Sequence, residues 1–257
     1  MTPLEVYHRY VSQRCTLAPS GYSLAALRGR IRLTPQQPDF EGIVMFTALT
    51  AAEIETAITD EVAYFSHLRR GFEWKVYDFD TPTDLAARLG RHGFKRDDPE
   101  AFMVYPTVNH VSKPHRASAR IERLTTAREV AAVVAVQERI WHRRLPWLAR
   151  SLTDSLPTTS LYGAFDDGEL VGTGWIEFPP GSDFADLHGG GILPEKRGHG
   201  LYSALFDVRA EEAQRRGYAD LAVDAAPMSR PILTRRGFQF ICETTPWHGP
   251  AEAVSFR

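Results

Sequence analysis

The chain has 257 residues, enough for one large or two modest domains, and its 43% hydrophobic and 24% charged content suits a folded protein with a buried core. A net charge of −2 gives no electrostatic basis for nucleic-acid binding, and two cysteines, Cys15 and Cys242, are too few for a disulfide framework or a zinc site of their own. No apolar run could span a bilayer, and the N-terminal MTPLEVYHRYVSQ lacks the apolar stretch of a signal peptide, so a cytoplasmic protein with no membrane partner is expected.

In chain order, Thr50-Ala51-Ala52-Glu53 predicts the capped start of a helix that turns Ile54, Ala57, Ile58, Val62 and Phe65 inward. A strand over 72–79 follows. The string RRGFEWKVYDFDTPTDLAARLGRHGF (69–94) reads as helix end, Arg-Arg-Gly-aromatic, strand, polar turn, short helix and Gly-Phe. RRGYADLAVDAAPMSRPILTRRGF (215–238) repeats that order at nearly equal spacing, which predicts a duplicated architecture. Residues 105–120, YPTVNHVSKPHRASAR, carry breakers and no periodicity and read as a linker. The expected domains are therefore 1–108 and 117–257.

The second half predicts a strand over 120–124, then a helix opened by the capping box Thr126-Ala127-Arg128-Glu129, with Val130, Val133, Val134, Ile140 and Trp141 on its apolar face. Strands over 161–165 and 170–178 form a hairpin through Asp166-Asp167-Gly168-Glu169, and a glycine-rich strand covers 185–193. A helix then carries Leu201, Ala204, Leu205 and Val208 on one face. A strand at 221–223, a short helix at 231–236 and a last strand at 238–243 complete a mixed α/β sheet flanked by helices.

Between strand and helix lies Leu193-Pro194-Glu195-Lys196-Arg197-Gly198-His199-Gly200-Leu201-Tyr202-Ser203. The helix starts without a capping side chain, so its first N–H groups and dipole are open to an anion, above all a phosphate. Gly198 and Gly200 let the backbone come close, and Arg197 adds a guanidinium fork. A Walker A string is absent. A dinucleotide fingerprint would need glycine at Ser203 and no polar stretch between strand and loop.

Arg197-Gly198-His199-Gly200-Leu201-Tyr202, set between strand and helix and followed by strand, short helix and Gly237-Phe238, resembles the GNAT superfamily of acyl-CoA-dependent N-acyltransferases. The family's last signature position is small, whereas Tyr202 stands here. The resemblance covers the second half and extends to the first through the repeat. It implies tandem GNAT-like mixed sheets, the C-terminal one catalytic, and acetyl-CoA as co-substrate without a metal. The pyrophosphate would lie on the amides of Gly198, His199, Gly200, Leu201, Tyr202 and Ser203, and the pantetheine arm along Ile192 and Leu193. Ser229 would touch the arm, or simply cap the short helix. The base would be Asp186 or His188, two apart on one strand, with Glu177 as a third candidate; either could equally be an ordinary polar residue of a sheet face. The tyrosine that often protonates the thiolate in this family is Leu233 here.

Two functions follow from the resemblance. One is acetyl transfer to an amine of a small molecule or peptide by a monomer or homodimer. The other is a silent acyl-CoA sensor or scaffold. The first half lacks the loop, because Val44-Met45-Phe46-Thr47-Ala48-Leu49-Thr50 has neither glycine nor a basic residue, so one coenzyme A per chain is expected.

Overall fold

A computed structural model describes residues 1–112 and 120–250. Two compact units emerge: Met1–Met103 together with the chain from Asp224 onward, and Val104–Val223.

The first unit begins with α1 (Pro3–Arg14), closed by a Thr2/Glu5 capping box. The strands β1 (Tyr22–Leu27), β2 (Arg30–Pro35) and β3 (Gly42–Met45) follow, then α2 (Ile54–His67), β4 (Phe72–Tyr77), α3 (Leu85–Arg91), β5 (Lys95–Arg96) and β6 (Glu100–Pro106). Its sheet order is β1-β2-β3-β4-β12-β6, where β12 (Gln239–His248) comes from the far end of the described chain and also carries β5. Val44, Phe72 and Trp74 pack under α2 and α3 with Ile54, Ile58, Phe65, Leu85 and Leu89. On the opposite face, Tyr7 and Tyr10 of α1 meet Phe46, Tyr77 and Phe102 edge-on or tilted. Glu61 of α2 is fully buried between Arg30 and Arg32, whose Nε atoms lie 2.7 and 2.5 Å from its two oxygens.

The second unit has β7 (Arg120–Leu124), α4 (Ala127–Trp141), α5 (Leu148–Ser155), β8 (Thr159–Asp166), β9 (Glu169–Glu177), β10 (Phe184–Ile192), α6 (Leu201–Arg215) and β11 (Asp220–Ala225), with strands ordered β11-β10-β9-β8-β7. The expected Thr126/Glu129 box opens α4. Asp167 and Gly168, both at positive φ, form the β8–β9 turn. Leu161 of β8 joins Val130, Val133, Leu148 and Leu152 in a core under α4 and α5, against which Trp175 of β9 packs. α6 covers the other face.

The boundaries differ from the sequence reading. Residues 105–112 are not linker: β6 runs to Pro106, a 3-10 turn spans Thr107–Asn109, and Thr107 bonds to Ala219. The expected boundary at residue 117 lies outside the described residues. The chain from Asp224, read as part of the second domain, joins the first unit, where Thr244 to His248 pair with Tyr77 to Glu73. Trp141, expected inward, is 48% exposed, because α4 ends there and His142 turns left-handed. The repeat is real but slipped. Arg69 takes the left-handed place that ends the first helix, whereas Gly217 takes it in the second. Arg70 N–H bonds the Phe65 carbonyl and Tyr218 N–H the Ala213 carbonyl, so the two Arg-Arg-Gly strings are not equivalent position for position. The Gly-Phe endings do correspond: Phe94 and Phe238 each bond back 3.1 Å to a leucine carbonyl, Leu89 and Leu233, after α3 and α7 (Arg230–Arg235).

Glu61→Ala removes the one carboxylate shared by Arg30 and Arg32 and should cost about 3–5 kcal/mol, as when a buried ion pair loses a single partner. Urea unfolding of the variant against wild type measures it.

Candidate functional site

The site forms where β10 leaves its neighbour. β10 pairs with β11 in parallel only from Phe184↔Asp220 to Asp186↔Ala222. On its other side it stays paired with β9 to Ile192↔Gly172, but with one extra residue between His188 and Gly191, a β-bulge. The three glycines of that bulge answer three packing demands. A Cβ on Gly189, at φ +57, would fall 1.7 Å from the Trp175 ring, and one on Gly191 would meet Ile140 of α4 at 3.0 Å. A Cβ on Gly190 would point to α6, 3.4 Å from Arg209 Nη2 and 3.5 Å from the Tyr202 ring.

Side chains from both faces hold the bulge by its carbonyls. From α4, Gln137 Nε2 donates to the Gly189 carbonyl at 2.7 Å and to Thr173 Oγ1 at 2.5 Å, while Trp141 Nε1 donates back to Gln137 Oε1. From α6, Arg209 donates to the carbonyls of His188 (3.4 Å), Trp175 (3.3 Å) and Leu205 (2.8 Å). Arg209 is 2% exposed, and no carboxylate pairs with it among the described residues. Burial pulls its guanidinium down to about 10, which leaves it charged at neutral pH.

After the bulge the chain makes the expected loop. Ile192 and Leu193 are buried, and the 3-10 turn Pro194–Lys196 leads to exposed Arg197, Gly198, His199 and Gly200. Arg197 Nε donates to the Ile192 carbonyl at 3.0 Å, and Lys196 Nζ lies 2.6 Å from Asp166, which raises the lysine's pKa. Gly198 and Gly200 sit at φ +81 and +83, and nothing stands within 4 Å of a Cβ on either. Gly200 caps α6 without any side-chain bond, and the first helical bond runs from Ala204 N–H to the Gly200 carbonyl at 3.0 Å. The opening N–H groups of α6 therefore lack intrahelical acceptors, the arrangement that suits an anion.

The helix start of the first unit is built differently, without glycine and with Glu53 at the N-cap position of α2. Thr50 N–H and Oγ1 both donate to Glu53 Oε2, at 2.9 and 2.7 Å, and these bonds lower the Glu53 pKa. The expected box does not open the helix: Glu53 N–H bonds the Thr50 carbonyl, α2 begins only at Ile54, and Glu53 at its N-cap makes no side-chain bond to the helix amides.

Asp186, His188 and Glu177 come together on the α4–α5 side of the sheet. Asp186 is 3% exposed and faces Glu177 in register, and His188 lies 3.7 Å from Glu177 with its ring stacked on Trp175. Ser229 belongs to the first unit, where its Oγ donates to the Ala226 carbonyl at 3.1 Å and makes no helix cap. Leu233 is buried. Gln137 and Arg209 went unread in the sequence, since each sits among helical residues with no local pattern; the glycine triplet was the available sign that something approaches the strand closely. Among the described residues, no group of three metal-ligating side chains is placed to hold an ion, and no helix is long and apolar enough to cross a membrane.

A parting strand with a bulge runs here into a glycine loop and an uncapped helix start that suits an anion. The segment 124–238 matches the model of the acetyltransferase (GNAT) family. Solved structures agree on the fold across both units. A GCN5-related N-acetyltransferase from Kribbella flavida superposes with a TM-score of 0.74 at 14% identity, covering 98% of this chain and 96% of its own. A tandem GNAT protein from the clavulanic acid biosynthesis pathway gives 0.61 at 15% identity, with 93% and 86% covered. A GCN5-related N-acetyltransferase from Sphaerobacter thermophilus gives 0.62 at 13%, with 89% and 80% covered. No curated protein matches the chain. The molecule is thus a tandem GNAT fold.

Gln137→Met keeps the volume but strips the Gly189 carbonyl of its donor, which should cost about 1–3 kcal/mol. Hydrogen exchange should quicken at the amides of residues 189–191 while β8 stays protected; unchanged exchange there would show that the bulge holds itself.

Proposed function

We propose that the chain transfers an acetyl group from acetyl-CoA to an amine of a small molecule or peptide, using one coenzyme A bound in the second unit. The observation that carries this is the start of α6, with two glycines at positive φ, open space at both Cβ positions and no side-chain cap. A pyrophosphate on the amides of residues 198–203 would complete that helix end. Arg197, tethered to the Ile192 carbonyl, lies beside the place the phosphates would take. The edge of β10 left free beyond Asp186 offers main-chain groups to a pantetheine arm, as an added strand would use them. A bulge N–H is the natural donor to the thioester oxygen.

Asp186, His188 and Glu177 supply the candidate bases, and we assign proton removal from the amine to the Asp186/His188 pair. A silent acyl-CoA sensor is the second reading, motivated by the leucine at 233. The acidic and imidazole groups gathered next to the bulge favour the enzyme, because a mere binder has no use for them. We place the reaction in the cytoplasm, in a monomer or homodimer.

Two measurements test this. In calorimetry, wild type should take up one coenzyme A per chain. Gly200→Val, which puts a branched side chain at φ +83 in the open space, should lose at least a hundredfold in affinity while its circular dichroism stays native. Wild-type affinity in that variant would remove the loop from the site. For the base, Asp186→Asn or His188→Gln should slow amine acetylation by about 10²–10⁴-fold at neutral pH, the usual worth of general-base catalysis, with acetyl-CoA affinity kept. Raising the pH should recover part of the loss, since more acceptor amine is then already neutral. If both variants acetylate at the wild-type rate from pH 6 to 9, neither residue is the base.

A further inference from the structure

Tyr202 occupies an unusual place for a residue in the first turn of the anion-binding helix. Its side chain runs under β10. A Cβ on Gly190 would lie 3.5 Å from the Tyr202 ring and 3.6 Å from its Oη, so the hydroxyl reaches the bulge itself. The strand accommodates the ring because residue 190 is glycine, and Gly190 belongs to the stretch of β10 that has already left β11. Tyr202 and Arg209 are seven apart, on one face of α6, and Arg209 Nη2 reaches the same spot at 3.4 Å. Tyr202 as a whole is half-buried.

Resting on the acetyl-transfer reading above, we infer that Tyr202 is the proton donor to the departing thiolate of coenzyme A, with Arg209 as the positioning residue behind it. The step balances as follows. The neutral amine nitrogen bonds to the thioester carbon, and the C–S bond breaks with its electron pair on sulfur. Tyr202 Oη gives its proton to that sulfur and becomes a phenolate beside the Arg209 guanidinium. The proton removed from the amine returns to the phenolate through solvent. The assignment fills the role for which Leu233, buried and apolar, has no group. It also gives a purpose to a buried arginine that donates to the backbone carbonyls of Leu205, Trp175 and His188.

Tyr202→Phe tests it, because phenylalanine fills the glycine gap equally well. Free thiols titrate near pH 8.5. The thiol of coenzyme A bound to wild type, followed by thiolate absorbance in the ultraviolet, should titrate below that. In the variant it should move up by about one pH unit, the effect of losing a hydrogen bond to an anion. Coenzyme A affinity should stay within about threefold and acetyl transfer should fall at least tenfold. A seleno-coenzyme A thioester analogue, whose selenolate leaves without a proton, should recover most of that rate; a purely structural tyrosine would give no such recovery. A variant with wild-type thiol titration and wild-type transfer overturns the assignment. Wild type that binds coenzyme A but acetylates no amine defeats the enzyme reading instead, and the thiol titration then still decides whether Tyr202 reaches the sulfur. Wild type that binds no coenzyme A defeats both.

Discussion

Everything at the candidate site depends on how the carbonyls of one bulge are engaged. A strand that parts from its neighbour exposes a row of backbone donors and acceptors that would pair with anything available. In β10 the carbonyls at the bulge are taken up within the unit: Gln137 holds Gly189 from one face, and Arg209 holds His188 from the other. Each clamp is a side chain on a long helix, so the two helices and the sheet fix the bulge together. The glycines supply close approach, and the clamps remove the freedom that three glycines would otherwise bring.

The same sheet separates two sets of polar groups. Asp186, His188 and Glu177 stand with Trp175 on the side of α4 and α5, whereas Tyr202 and Arg209 stand on the side of α6. A ligand lying along the edge of β10 would meet acid–base groups of different character on its two flanks. Carboxylates and an imidazole suit proton removal; a phenol backed by a buried cation suits proton delivery. The cation is costly to bury, and its partners are dipoles and not charges, so its field reaches its surroundings incompletely cancelled.

Local signals were legible in the sequence wherever one residue's geometry decided the outcome. The capping box at Thr126 and Glu129, the turn at Asp167-Gly168 and the open glycines at 198 and 200 were all readable, because each satisfies a backbone demand with neighbours close in sequence. Strand 120–124 and the long helices α4 and α6 followed from the sequence pattern, whereas α1 and α5 did not. What could not be read was tertiary. Gln137 looked like any polar residue on a helix, and only contact with Gly189, fifty-two positions away, gives it a role. Trp141 fitted an apolar stripe, yet α4 stops beneath it. The Arg-Arg-Gly match was a true sign of duplication with a false register, since Arg69 can take a conformation that its counterpart leaves to glycine. The first division between the units, after Met103, falls beside the breaker-rich stretch, but breakers do not reveal which sheet a later strand will join, and the chain from Asp224 returns to the first unit.

That later strand has a consequence for synthesis. β12 lies inside the sheet of the first unit, between β4 and β6, although more than a hundred residues of the second unit separate it from them. As the chain leaves the ribosome, β1 to β6 emerge with an interior position of their sheet still empty. The second unit's strands β7 to β10 and its helices appear complete before that gap can be filled. The half made first must therefore finish last, holding open edges on β4 and β6 throughout translation of its neighbour. Cutting the two halves apart at their sequence midpoint would therefore leave the first without an inner strand.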